Sequence, residues 1–536
     1  MKIYQWNDPV SLRHLLCELV SWESITHDEG EQRFPHRLEE KLMELNYFAT
    51  HPSFIELHDV EKGRHAVTAL YKSDKATDTI VLISHFDTVG TDEYGDLGPL
   101  AFQPEELTKV FKEKTADLPN EVVSDLLSGE YLFGRGTMDM KMGLALHMRL
   151  LEQASIESWP INLLLVTVPD EEVNSDGMRA VIPELIRLQE EHGLDYRLFL
   201  NSEPSFSQKP GDEQYYMYTG TIGKIMPAAL FYGKETHAGE PMNGMTAHYI
   251  ASFFTQQMEW SPWLRETDRG EATPLPVTLQ QKDLKMAYST QTPHRVSALY
   301  NVFLMKQSAA DVMETFQRVA QAAADACNEA YRAICTRESV EGIGHVTVLR
   351  YEELLKYANE KLGVEAVTRY QAKVLQNPAL DDREKSIRIA DTLMIHCQEL
   401  GPAIVLLFAP PYYPAVNSSD DLLIKEMVDL MKQIGSESFN LPVNQIHYFN
   451  GISDLSYVRG EGETAGWDAF KQNTPVWGET YTIPFYLMKK LQAPVLNIGP
   501  LGKDAHKLTE RLHINSAFVQ LPSLLEALVR RMFVGK

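Results

Sequence analysis

The sequence predicts a doubly wound α/β architecture on a mixed sheet, with a second α+β domain inserted into it. Three observations carry this reading. Continuous apolar runs such as INLLLVTV (161–168) have the composition of strands covered on both faces. They alternate with segments of helical periodicity. That alternation breaks off after residue 215 and resumes at about 415.

Taken in order, residues 9–22 and 37–48 place apolar side chains at helical spacing, and strands follow at AVTALYK (66–72) and TIVLISHF (79–86). The polar stretch from Thr91 to Gly129 lacks strong periodicity and reads as surface loop with short helices. KMGLALHMRLLEQA suits a buried helix, INLLLVTV a strand, MRAVIPELIRLQEEH a helix in spite of Pro183, and YRLFL (196–200) the next strand. Residues 216–414 mix β-rich runs, VTLQQKDLKMAYST among them, with the long helical pattern AADVMETFQRVAQAAADACNEAYRAI. They read as the inserted domain, with AIVLLFAPPYYP as its closing strand. Residues 1–215 and 415–536 then form the first domain in two parts, GEGETAG (460–466) being a flexible loop within the second.

At 536 residues the chain exceeds what one core holds. A formal charge of -24 argues against nucleic acid or an anionic membrane as partner. Cys17, Cys327, Cys335 and Cys397 form no CxxC pair or zinc-finger spacing. The opening MKIYQWNDPVSLRHLL lacks a signal-peptide core, and no run reaches the ~18 apolar residues of a spanning helix, so a cytoplasmic location is expected.

Chemistry gathers where open α/β sheets place it, beyond the strand ends. His85 and Asp87 end one apolar run, Glu171 and Glu172 another, Glu203 a third, and His506 follows APVLNIG; Asp139 lies in the glycine-punctuated FGRGTMDMKMG. Two imidazoles and three carboxylates suffice for two zinc ions if one carboxylate bridges them. Asp87, two residues past His85 on an extended strand, can orient the imidazole. Adjacent Glu171 and Glu172 cannot share a face, so one can bind metal while the other stays free as a general base. Singly, each residue has an ordinary reading: Asp139 as a helix N-cap, His506 in an exposed turn with His513 as its rival. Together they point to hydrolysis at a metal pair. There is no GxSxG elbow, HExxH helix, P-loop or GxGxxG to support another mechanism.

SHFDTVG, FGRGTMDMKMG, TVPDEEVNSDG, LNSEPS and GKDAHKLTERLH resemble, in order, the motifs of the zinc aminoacylase/carboxypeptidase superfamily, which includes dipeptidases and succinyl-diaminopimelate desuccinylase. KETHAGEPMNG resembles its lid motif, and the long insertion is similar to a branch linked to bacterial arginine utilisation. The resemblance implies that Asp139 bridges two Zn2+ (replaceable by Co2+ or Mn2+). His85 and Glu203 would complete one shell, and Glu172 and His506 the other. It implies Glu171 as general base, Asp87 as support for His85, His237 as oxyanion donor, Asp454 of NGISDLSY as local support, and a cis Asp139–Met140 bond. The substrate it implies is an acyl amino acid or short peptide, and it leaves open a homodimer through the lid or a monomer whose enlarged lid folds over its own site. Lys141-Met142-Gly143 departs from the usual Lys-Gly-Gly, and Gly90 stands where proline is common; neither is a ligand. The alternative function is a metal-dependent binding or regulatory protein without turnover.

Overall fold

The computed structural model describes residues 3–209, 212, 214–285, 290–460 and 464–533. Residues 286–289 of the expected β-rich run and 461–463 of the expected flexible loop lie outside them. The chain divides into two units, one of Met1–Thr221, Val416–Gly460 and Pro484–Lys536, the other of Ile222–Ala415 and Glu461–Ile483.

The first unit is built on an eight-stranded mixed sheet. In chain order its strands are β1 (Ile55–Val60), β2 (Arg64–Tyr71), β3 (Asp78–His85), β4 (Asn162–Val168), β5 (Asp195–Asn201), β6 (Tyr215–Tyr218), β7 (Val443–Ile446) and β8 (Val495–Asn497). In space they run β1-β2-β4-β3-β5-β8-β6-β7. The four central strands are mutually parallel, with His85 opposite Val168, Ile83 opposite Asn201 and Asn497 opposite Asn201. Every residue of β4 is buried. Its alternate residues Leu163 and Leu165 join one core with Leu144, Met148 and Leu151 of the helix Met142–Glu157. Leu164 and Val166 point to the opposite face, which accounts for the uninterrupted apolar run.

The helix expected to begin near residue 37 begins at Glu29 and runs to Met43. Pro35 lies buried inside this helix with Phe34, Leu38 and Leu42. Packing of that apolar face overrides the local propensity.

The second unit holds a five-stranded sheet in the order Val277–Asp283, Arg295–Leu304, Gly223–Tyr232, Ala403–Tyr413 and Thr347–Arg350. All its pairs are antiparallel except the last. The long helix Ala309–Glu338 starts at a capping box, with Ser308 N–H donating to Asp311 Oδ2 at 2.8 Å. Residues 216–218, placed by the sequence reading at the start of the insertion, belong with Tyr215 to a strand of the first unit's sheet. The segment ending at Ile483, read as part of the first domain, groups with the second unit. Phe470 explains this, stacking on Phe408 and lying against Tyr412.

Candidate metal centre

The four parallel central strands end side by side, and the residues beyond those ends converge. His85 closes β3, Glu171 and Glu172 follow β4, Glu203 follows β5, and His506 lies in the loop after β8. Asp139 comes from the turn ahead of the helix Met142–Glu157, and the Asp139–Met140 peptide is cis.

His85 Nε2 lies 3.3 Å from Asp139 Oδ1 and 3.4 Å from Glu203 Oε1. His506 Nε2 lies 3.1 Å from both Asp139 Oδ2 and Glu172 Oε2. Asp139 thus turns one oxygen toward each histidine. Two groups of metal-type donors result, His85 with Asp139 and Glu203, and Asp139 with Glu172 and His506. Glu171 belongs to neither, although its Oε2 is 3.9 Å from His85 Nε2. His513 stands apart, its Nδ1 accepting from Ser516 N–H at 3.1 Å.

Asp87 acts differently from the expected carboxylate–imidazole pairing. His85 Nδ1 meets the backbone carbonyl of Asp87 at 3.0 Å, while the carboxylate lies 3.6 Å away. That carboxylate instead accepts from Glu171 N–H at 3.1 Å, Glu172 N–H at 3.3 Å and the Thr26 hydroxyl at 2.8 Å. It fixes the backbone from which both glutamates project, and Thr26 is a participant the motifs did not reveal.

Among the described residues no lysine or arginine pairs with Asp139, Glu171, Glu172 or Glu203. Burial pushes Glu203 up to about 8, and raises Glu171 well above the usual carboxylate range with Glu203 and Asp454 adding to it. Burial likewise raises Glu172, with Asp139 adding to it. Burial works against a charged His506, yet Asp139 and Glu172 outweigh it and push the imidazole up to about 11. Acidic groups packed together with only two imidazoles among them are a site for cations. Asp454 is buried in the same unit, and burial pushes it up to about 7.

His237 belongs to the second unit and to neither donor group. Its Nδ1 accepts from Gly239 N–H at 3.0 Å, so the neutral ring carries its proton on Nε2.

Close backbone packing sets the position of Glu203. The Asn497 amide donates to the Glu203 carbonyl at 3.2 Å. A Cβ on Gly499 would fall 2.0 Å from that same oxygen and 2.4 Å from the Ser202 carbonyl. Gly499→Ala is therefore expected to shift the Glu203 segment, lowering stability by about 1–3 kcal/mol and reducing metal content. Thermal melts and metal analysis indistinguishable from wild type would refute this.

Comparisons with known proteins bear on the family and the fold. The chain is 40% identical over 526 residues to the uncharacterized protein YqjN of Bacillus subtilis (strain 168), covering 97% of this chain and 96% of that one. It is 29% identical to RocB of the same strain, covering 98% and 95%. Among solved structures, an M20 family metallo-carboxypeptidase from Sulfolobus solfataricus shares the fold with TM-score 0.55 at 12% identity, covering 96% of this chain and 98% of that one. A tripeptidase from Staphylococcus aureus does so with TM-score 0.54 at 14% identity, covering 99% and 100%. The model of Peptidase family M20/M25/M40 matches residues 81–531. Matched over most of its length, the chain belongs to Peptidase family M20/M25/M40 and is a metallohydrolase.

Proposed function

We propose that the protein is a two-zinc hydrolase that cleaves an amide bond next to a carboxylate, in an N-acyl amino acid or a short peptide. The observation that supports this most is the division of Asp139 between two donor groups, with Glu171 beside them and in neither. The donors fit: imidazole and carboxylate suit zinc, and Co2+ or Mn2+ would be accepted by the same set. His85, Asp139 and Glu203 would hold one ion, and Asp139, Glu172 and His506 the other. Cations held there supply Lewis acidity, lowering the pKa of water towards ~7 and polarising a carbonyl.

The protein's own groups do the rest. Glu171, a carboxyl with a raised pKa, takes a proton from attacking water and delivers it to the leaving nitrogen. Asp87 keeps Glu171 and Glu172 in register through their amides. His237 keeps the oxyanion role its motif implies, with Nε2–H as donor. The likeness to RocB supports a substrate from arginine utilisation, an arginine-derived acyl compound or arginine-containing peptide.

The test combines metal analysis with a panel of acyl amino acids and dipeptides, arginine derivatives included. Two zinc equivalents and hydrolysis that chelation removes and zinc restores are expected. Stoichiometric metal with no turnover on any member would favour a binding or regulatory protein, and absence of bound metal would refute the reading.

A further inference from the structure

The two histidines of the centre are held in unlike ways. His85 ends a central strand, is almost wholly buried, and has its second ring nitrogen bonded to Asp87. His506 sits in a loop, and its side chain is 48% exposed. Among the described residues its Nδ1 has no protein partner, and its backbone is left-handed at φ 66°. Neither packing nor a regular element sets its position, and a non-glycine residue does not adopt that backbone by preference.

One side chain reaches the His506 backbone. Arg135, buried within the FGRGTMD turn, donates through Nη2 to the His506 carbonyl at 3.2 Å, the sole hydrogen bond to that backbone among the described residues. The same guanidinium donates through Nη1 to Glu510 at 2.5 Å, through Nε to the Gly90 carbonyl at 3.3 Å, and pairs with Glu93. Its cationic face lies 5.4 Å from the Tyr94 ring centroid. Glu510 is fully buried, and its N–H and C=O tie the two loops together, donating to Lys507 and accepting from Gly134. Arg135 therefore joins the turn that carries Asp139 to the loop that carries His506.

We propose that Arg135, paired with Glu510, is a positioning residue that makes one of the two cation positions, Asp139–Glu172–His506, form, while the His85–Asp139–Glu203 position forms without it. This rests on the two-cation reading above. Removing Arg135 alone would strand a buried carboxylate, so the informative variant replaces both partners, Arg135→Met with Glu510→Leu. The experiment titrates Zn2+ into the apo full-length chain by calorimetry.

Wild type is expected to take two equivalents. The double variant should keep one equivalent within about twofold and lose about 10–100-fold in affinity for the other, the range for an outer partner of a metal ligand. In a His506→Ala background the same replacement should leave the remaining equivalent unchanged, because its target is already gone. A merely structural role would weaken both equivalents together. That outcome, or two unaltered equivalents in the double variant, would overturn the proposal. A single equivalent in wild type would instead overturn the two-cation reading, and the clamp with it.

Discussion

Glu171→Gln is expected to lower kcat by about 10²–10⁴-fold, the range for losing a positioned general base, while metal content stays at the wild-type level. The two halves follow from separate observations. Glutamine keeps the shape and the backbone amide held by Asp87, so Glu172 should remain in place. The lost oxygen belongs to neither donor group. What disappears is a carboxylate able to take a proton, one whose pKa burial raises toward the range where it can also give that proton back. KM should change less than kcat, since the proton moves only as the reaction proceeds. Retention of more than about a tenth of the activity would remove Glu171 from the base role on the same scale. A loss of metal would show that it is a ligand.

The other large effect is expected at Asp139. Asp139→Ala removes the one residue common to both donor groups, so both cations should be lost together. His85→Ala or His506→Ala should spare the position that does not use the deleted ring. Two assays separate these cases. Metal analysis should find the Asp139 variant nearly empty, and added zinc should no longer raise its melting temperature. In wild type, saturation at about 100–1,000 times Kd would stabilise the fold by about 3–4 kcal/mol. An Asp139 variant that still bound two equivalents would mean that the groups do not share it.

Much of the centre is legible in the sequence because parallel strands covered on both faces leave an unmistakable trace. TIVLISHFD and INLLLVTVPDEE show where strands stop, and the polar residues that follow need no tertiary information to be noticed. Other parts were out of reach for definite reasons. His506 and His513 sit in one short segment and differ only in what the fold does with them; Ser516 N–H occupies His513. Thr26 is 61 positions from the Asp87 carboxylate it meets, and Arg135 is 375 from Glu510. Neither separation leaves a local pattern. The start of the helix at Glu29 was out of reach because the burial of Phe34 and Pro35 that holds its first turns is not visible in the sequence. The affiliation of the Phe470 segment depends on ring contacts with a strand some sixty residues earlier.

The place of β8 in the sheet, wedged between β5 and β6, has a temporal consequence. On a ribosome adding about 5–20 residues each second, roughly 15–60 s separate the emergence of β5 from that of β8. Throughout that interval the growing polypeptide carries β5 with one open edge, a ready template for mispairing, next to a rim holding only part of its chelating groups. The donor group of Asp139, Glu172 and His506 is thus completed late in biogenesis, after the last neighbour of β5 has arrived, whereas His85, Asp139 and Glu203 are all in the chain by residue 203.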